Sequence, residues 1–316
     1  MSNMVATRDA FGQVLVELGT ENPQVVVLSG DLAESTRAAL FGERYPERFF
    51  EMGISEQDLV GTAAGLALGG KIPFVCTYAV FAVSRAFDQI RVSVCYTGAN
   101  VKLAVTHAGL SVGEDGATAM TLEDLALMCS LPGMTVLVPA DSNETKAAVH
   151  AAAVWKGPLY LRMGRSPVPV LEEPNADWKI GCARRMRTGE DITLVACGAM
   201  VSAALEAAEM LSQQGISADV LNFHTLKPFD RAVLVESARR SRRVVVAEEH
   251  NIFGGLGSIA ARVLGEDCPV PMRFIATQDT FGESGKPEEL MQKYGLTSER
   301  IVAAALELLQ LEGVQQ

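Results

Sequence analysis

A chain of 316 residues, 48% apolar and 21% charged, has room for two domains of ordinary globular composition. Its formal charge of −11 argues against nucleic acid or an anionic membrane as the main partner, because both select basic faces; a local cluster of Arg and His can still bind a sugar phosphate. The six cysteines show no CxxC, no apolar run reaches membrane-spanning length, and the start MSNMVATRDAFGQV lacks a signal-peptide core, which together predict a reduced, cytoplasmic protein.

In chain order, apolar runs at 25–30, 72–76, 101–107, 134–140 and 158–164 predict buried strands. Helical patterns lie among them at about 6–19, 55–69, 82–95, 121–130 and 143–155. Such alternation predicts an α/β fold with a mainly parallel sheet covered on both faces. The proline- and charge-rich stretch 165–191 breaks the rhythm and reads as a linker with a short strand. Alternation then resumes with strands at 191–199, 217–223, 242–250 and 272–279 and helices at 201–214, 229–239 and from about 255. The expected organisation is a first domain over 1–170, a linker over 171–190 and a smaller α/β domain over 191–316.

Ligands of open parallel sheets sit beyond the carboxyl ends of the strands, so the residues that follow each strand carry the information. Gly30-Asp31-Leu32-Ala33-Glu34-Ser35 follows the first of these runs, and Ile54-Ser55-Glu56-Gln57-Asp58 follows FFEMG (49–53) and opens a helix. Thr77-Tyr78-Ala79-Val80-Phe81 follows 72–76, and His107 precedes the loop VGEDGAT (112–118). Ser55 reads as an N-cap with Asp58 completing a capping-box-like pair. Glu56 is not needed for that cap. It is either a favourable first-turn charge or a partly buried carboxylate suited to proton transfer. Taken alone, GEDG reads as a surface turn. FGGLGS (253–258) lacks the Lys-Ser/Thr of a phosphate loop and reads as a tight turn into a helix. His150 and His224 read as structural, His250 stays unassigned, and the cysteines read as buried packing residues.

GISEQDLVGTAAGLAL, PFVCTYAVFAVSRAFDQI and THAGLSVGEDGAT resemble the pyrimidine-binding domain of the transketolase family of thiamine diphosphate enzymes. KPFD (227–230) and AEEHNIFGGLGS (247–258) resemble that family's C-terminal domain, so the likeness spans nearly the whole chain. It implies that Glu56 hydrogen-bonds the cofactor's aminopyrimidine. A carboxyl sharing a proton with the ring nitrogen favours the imino tautomer, which then takes the thiazolium C2 proton. It also implies that Phe81 stacks on the pyrimidine and that Tyr78, Leu32 and Asp31 belong to the same pocket. Arg8, Ser35 and His107 match phosphate contacts, as does an arginine of LRMGR, either Arg162 or Arg165. Asp115 matches an aspartate that reads a substrate hydroxyl near the cleaved bond. Ala119 stands where the family usually has a histidine, which leaves that role lost or moved and gives room for a branched or modified sugar.

The family's earlier domain binds diphosphate and metal through a GDG motif followed by an asparagine, and no GDG occurs in this chain. The resemblance therefore implies the C-terminal subunit of a split, two-chain transketolase. Its cofactor would lie between chains, with the pyrimidine here and the diphosphate with Mg²⁺ or Ca²⁺ on an N-terminal partner subunit, in an A2B2 assembly. The implied reaction moves a two-carbon ketol unit from a ketose phosphate to an aldose. A 1-deoxyxylulose-5-phosphate synthase-like protein and the β subunit of a 2-oxo acid dehydrogenase are the enzymatic alternatives. Arg8, Ser35, His107 and VGEDG favour the transketolase over them. A regulatory subunit that kept the fold is the non-enzymatic alternative, and Glu56, Phe81 and Asp115 together weigh against it.

Overall fold

Parallel strands covered on both faces are largely apolar, and Val25–Ser29, Ile72–Cys76, Lys102–Val105 and Leu159–Arg162 are buried along their whole length. The computed structural model describes residues 3–171 and 178–310. Its strands are β1 (Met4–Ala6), β2 (Val25–Ser29), β3 (Phe49–Glu51), β4 (Ile72–Cys76), β5 (Lys102–Val105), β6 (Thr135–Leu137) and β7 (Leu159–Arg162). They continue with β8 (Pro167–Pro169), β9 (Arg184–Arg187), β10 (Ile192–Ala196), β11 (Ala218–Asn222), β12 (Thr225–Lys227), β13 (Val244–Asn251) and β14 (Met272–Thr277).

Seven strands form the first sheet in the order β12-β6-β7-β5-β4-β2-β3, parallel except for β12 against β6. Five form the second, β14-β13-β10-β11-β9, parallel except for β9 at its edge. In the first sheet the chain moves from β2 outward to β3 and then returns to the other side of β2 as β4. That reversal opens a crevice at the carboxyl ends of β2 and β4. β1 and β8 make a separate antiparallel ribbon, Ala6 opposite Pro167. The ribbon brings the start of helix Thr7–Glu21 beside the end of β7, where the Gly164 N–H donates to Thr7 Oγ1 at 2.9 Å.

The two halves are not independent. β12 lies beyond β11 in the chain yet pairs with β6 of the first sheet. One apolar cluster holds Leu28, Leu59 and Val136 together with Leu221, Phe223, Val246 and Leu264. The stretch expected as a linker also contributes β9 to the second sheet, so that sheet begins before residue 191.

Local expectations change in three places. The helix expected over 82–95 is broken into Ala79–Arg85, Phe87–Gln89 and a π-helical turn Ile90–Tyr96, with Ala86 off helical geometry at φ −117° and ψ 20°. The Ser55 capping box is not formed: Ser55 Oγ donates to the Met52 carbonyl at 2.7 Å, and Asp58 accepts from Thr62 at 3.4 Å. Among the cysteines, Cys182 is exposed while Cys76 and Cys197 are buried.

Because β6 takes its edge partner and much of its apolar cover from the second half, residues 1–170 expressed alone should lack a cooperative thermal transition. The full chain should unfold in a single one. Near-ultraviolet circular dichroism on both checks this, and a sharp transition in the fragment would contradict the shared core.

Candidate active site

Glu56 is the first residue of helix Glu56–Leu68, and its side chain is 3% exposed. Arg85 Nη1 donates to both of its carboxylate oxygens, at 3.0 and 3.1 Å. Phe81 and Arg85 stand one turn apart on helix Ala79–Arg85 and so share a face, and the Arg85 guanidinium lies 4.1 Å from the centroid of the Phe81 ring. After β2, Asp31 adopts a positive φ of 62°, held by its N–H donating to Glu51 Oε1 at 2.7 Å. These elements enclose a cavity of about 180 Å³ lined by Gly30, Asp31, Leu32, Ile54, Glu56, Phe81 and Arg85. Four of the five residues expected around a pyrimidine line it.

Tyr78, the fifth, lies between this pocket and the next group of side chains. It stacks on Phe81 at 5.4 Å on one side and on His107 at 3.7 Å on the other. The pocket suits an aminopyrimidine chemically, since a buried carboxylate faces a flat apolar ring. Arg85 illustrates the fit, because a planar cation already stacks on Phe81 and directs N–H donors at Glu56.

The second group is cationic. His107 is 1% exposed and holds a positive φ of 57°. Its Nδ1 lies 2.8 Å from Thr106 Oγ1 and its Nε2 lies 3.4 Å from Arg8 Nη1. Burial, with Arg8 and Arg165 nearby, brings its pKa down to about 3, so the ring is neutral at pH 7. Arg8 Nη1 also donates to the Ser35 carbonyl at 2.9 Å, which makes the Ser35 backbone, not its hydroxyl, the contact. Arg8 Nε is buried without a partner. Arg37 Nε donates to Asp9 Oδ1 at 2.6 Å, and Arg165 Nη1 donates to Glu114 Oε2 at 2.7 Å and to the Val112 carbonyl at 2.6 Å.

Arg162 is not part of this group. Its side chain is 6% exposed and is committed to Asp124, at 2.8 and 3.2 Å, and to the Glu249 carbonyl, at 3.0 Å. Of the two arginines in LRMGR, only Arg165 stays near Arg8. Asp115 is exposed at the end of the 3-10 turn Leu110–Asp115. That loop turns through Gly113 and Gly116 at φ 81° and 78°, and a Cβ on either would meet Pro287 or Ser284 of the second half. Ala119 is 8% exposed within an apolar cluster that includes Leu110, Val112 and Met120.

The remaining candidates are structural. His224 is buried and stacks on Trp178 at 4.5 Å, and burial lowers its pKa to about 4. His250 is buried between the Asn251 carbonyl and the Ala126 N–H. FGGLGS does turn into helix Leu256–Asp267, and its free N–H groups at Leu256 and Gly257 are taken by the Glu248 carboxylate at 2.7 and 2.8 Å. His150 lies 3.7 Å from Glu17 on a half-exposed surface. Among the described residues no helix is long and apolar enough to cross a membrane, and no cluster of ligating side chains forms a metal site.

Residues 3–170 match the transketolase pyrimidine-binding domain model, and residues 181–301 match the transketolase C-terminal domain model. The chain belongs to the transketolase family. It is 42% identical to the 6-deoxy-6-sulfo-D-fructose transketolase subunit SqwH of Clostridium sp. (strain MSTE9), over 95% of this chain and 94% of that one. It is 37% identical to a subunit of the apulose-4-phosphate transketolase of Phocaeicola vulgatus, over 98% of this chain and 99% of that one. A solved structure described as a split gene transketolase, an inactive beta4 tetramer, superposes with a TM-score of 0.91 at 51% identity, covering 97% of this chain and 99% of that one. Against mouse transketolase, at 37% identity, the match takes in 49% of that longer chain. This transketolase chain is thus a subunit of a thiamine diphosphate-dependent transferase, and the synthase and dehydrogenase alternatives are not favoured.

In this transketolase subunit, Arg162→Ala should cost about 3–5 kcal/mol of unfolding free energy, because it leaves the Asp124 carboxylate buried and unpaired. Arg165→Ala breaks a surface pair and should cost under about 1 kcal/mol. Urea titrations of the two variants check the contrast, and the reverse order would refute the assignment of Arg162 to the core.

Proposed function

We propose that this chain binds the pyrimidine half of thiamine diphosphate and the anionic end of a modified ketose. An N-terminal partner subunit then holds the diphosphate and a divalent metal, Mg²⁺ or Ca²⁺, in a cytoplasmic A2B2 complex. The observation that carries this reading is Tyr78, stacked between Phe81 of the apolar pocket and His107 of the cationic group. One ring joins a cofactor pocket to an anion site along a single sheet edge. The two-chain assignment is supported by relatives named as subunits, which this chain matches over 94% and 99% of their length, and by its likeness to a split gene transketolase chain. The modified sugar is supported by relatives named for sulfofructose and apulose phosphate and by Ala119 in place of the expected histidine. Six free cysteines fit a reducing compartment.

Bound thiamine diphosphate supplies the carbanion-stabilising centre that carries the two-carbon unit. The chain's own residues do the rest. Glu56, buried, would accept the hydrogen bond at the pyrimidine ring nitrogen, and Phe81 with Leu32 would hold the ring. Arg8, with its unpartnered Nε, and Arg165 bind the substrate's anion, and neutral His107 shapes that site. Asp115 accepts a hydrogen bond from a sugar hydroxyl, and the small Ala119 brings no titratable group of its own.

In the complex reconstituted with its partner, Glu56→Ala should lose about 10²–10⁴-fold in turnover, the usual loss for one positioned proton-transfer group. Size-exclusion chromatography should show the assembly intact. Near-normal turnover would identify the wrong carboxylate, and full activity of this chain alone would refute the two-chain reading.

Ala119→His tests the sugar. Relative to wild type, it should raise kcat/KM for xylulose 5-phosphate and lower it for branched or modified ketoses. If wild type already prefers xylulose 5-phosphate and the histidine changes nothing, the modified-sugar reading is wrong.

A further inference from the structure

We infer that Asp9 and Glu114 trim the anion site to a single positive charge, so that the enzyme selects ketoses whose terminal group carries one negative charge, such as a sulfonate, over a phosphate dianion. The inference rests on the reading of the Arg8 group as the site for the substrate's anion.

Three guanidiniums come together there from three parts of the chain. Arg8 lies in the first turn of helix Thr7–Glu21, Arg37 just beyond helix Ala33–Thr36, and Arg165 between β7 and β8. They act on one another: the pKa of Arg8 is lowered by burial first, then by Arg37 and Arg165, against an opposing pull from Asp9. Two of the three are individually neutralised, Arg37 by Asp9 at 2.6 Å and Arg165 by Glu114 at 2.7 Å. The hydrogen bond from Arg165 also lowers the pKa of Glu114, which keeps that carboxylate charged. No carboxylate among the described residues is bonded to Arg8, which instead donates to the Ser35 carbonyl and lies against His107, with its Nε buried and unpartnered.

His107 does not add a second charge. Arg8 is always a donor, so the imidazole Nε2 that faces it is the acceptor, and its one proton is at Nδ1 toward Thr106. A second proton at Nε2 would place cation against cation in a site where burial already holds the pKa at about 3. Tyr78, stacked on the imidazole, brings no cation. Asp115, whose charge is felt by Arg165, adds only negative potential at the edge. Among the directly hydrogen-bonded groups, three cations less two paired carboxylates leave one unpaired positive charge, centred on Arg8.

A sulfonate and a phosphate present the same three-oxygen face to these donors and differ in charge. A phosphate monoester, with a second pKa near about 6, carries roughly −1.5 to −2 at pH 7, whereas a sulfonate stays at −1. The site can neutralise the second anion fully and the first only in part. Asp9 is the adjustable element, because its partner Arg37 is held close by, at 39% exposure, and would become an active cation if Asp9 lost its charge.

The test uses the complex reconstituted with its partner and a pair of ketoses of one skeleton, ending in a sulfonate or a phosphate. At pH 7.5, wild type should favour the sulfonate in kcat/KM. Asp9→Asn should shift the ratio toward the phosphate by about tenfold, chiefly through KM. For wild type, KM for the phosphate should fall as pH drops from 7.5 to 5.5 and the ester takes up a proton, while KM for the sulfonate stays level. A wild-type preference for the phosphate at pH 7.5, or an Asp9→Asn change equal for both anions, would overturn the inference. Arg8→Ala isolates the underlying reading: a raised KM for both anions supports the site, and an unchanged KM for both refutes the site itself.

Discussion

Arg162, at the end of β7, forms a buried ion pair with Asp124, the first residue of helix Asp124–Ser130, and reaches across to the Glu249 carbonyl of β13. Burial alone would raise the pKa of Asp124. The adjacent guanidinium and the Tyr160 hydroxyl, which donates at 2.7 Å, outweigh it and hold the carboxyl below its ordinary range. A buried charge pair is tolerable only when its remaining hydrogen-bonding capacity is met, and here it is met from both halves of the chain. The relative position of the two sheets is thereby tied to a polar contact whose geometry is narrow, set within apolar packing whose geometry is broad.

From that seam the constraint runs to the loop that carries Glu114 and Asp115. Glu249, whose carbonyl accepts from Arg162, turns its carboxylate to the Ser111 N–H at 2.5 Å. It packs so closely beneath Gly109 that a Cβ there would collide with its carboxylate. Further along, the loop rests through Gly113 and Gly116 on Ser284 and Pro287. Among the described residues, no side chain of the second half lines the Phe81 pocket or bonds to Arg8, yet that half determines where Glu114 and Asp115 stand. Its contribution is positional, through a loop that only glycine at these turns allows to lie flat against it.

The parallel strands and the polar edge were legible because both follow from short-range pattern. β-branched runs mark buried strands, and residues that trail them fall at one end of a parallel sheet. What was not legible depends on side chains far apart in sequence. Arg85 and Glu56 are 29 positions apart and Arg162 and Asp124 are 38 apart, so no local spacing distinguishes an arginine that lines a pocket from one that closes a core. Arg85 did leave a trace, standing four residues after Phe81 on one helical face. The Ser55 cap failed for a different reason. Its hydroxyl found the Met52 carbonyl, a partner as near in sequence as the N–H the capping rule assumes. The crossing of β12 into the first sheet left no mark, since a three-residue strand has too little pattern to assign it to one sheet or the other.

His107 shows how such a site is held together despite its local cost. A non-glycine residue at φ 57° carries strain of order 1–3 kcal/mol, and burying an imidazole beside a guanidinium adds a desolvation cost unless the ring stays neutral. Arg8, always a donor, fixes the tautomer by making Nε2 the acceptor, the Nδ1 proton turns to Thr106, and Tyr78 covers one face of the ring at 3.7 Å. With this backbone the ring lies against Tyr78, which follows β4, and against Arg8 of helix Thr7–Glu21. Tyr78 stacks on both Phe81 and His107, which holds the Phe81 pocket and the Arg8 group at one fixed separation. A chain of net charge −11 thus builds a cationic site by local pairing. Overall charge governs what the surface attracts at a distance, whereas the count of carboxylates within hydrogen-bonding reach of three arginines governs what the site will accept.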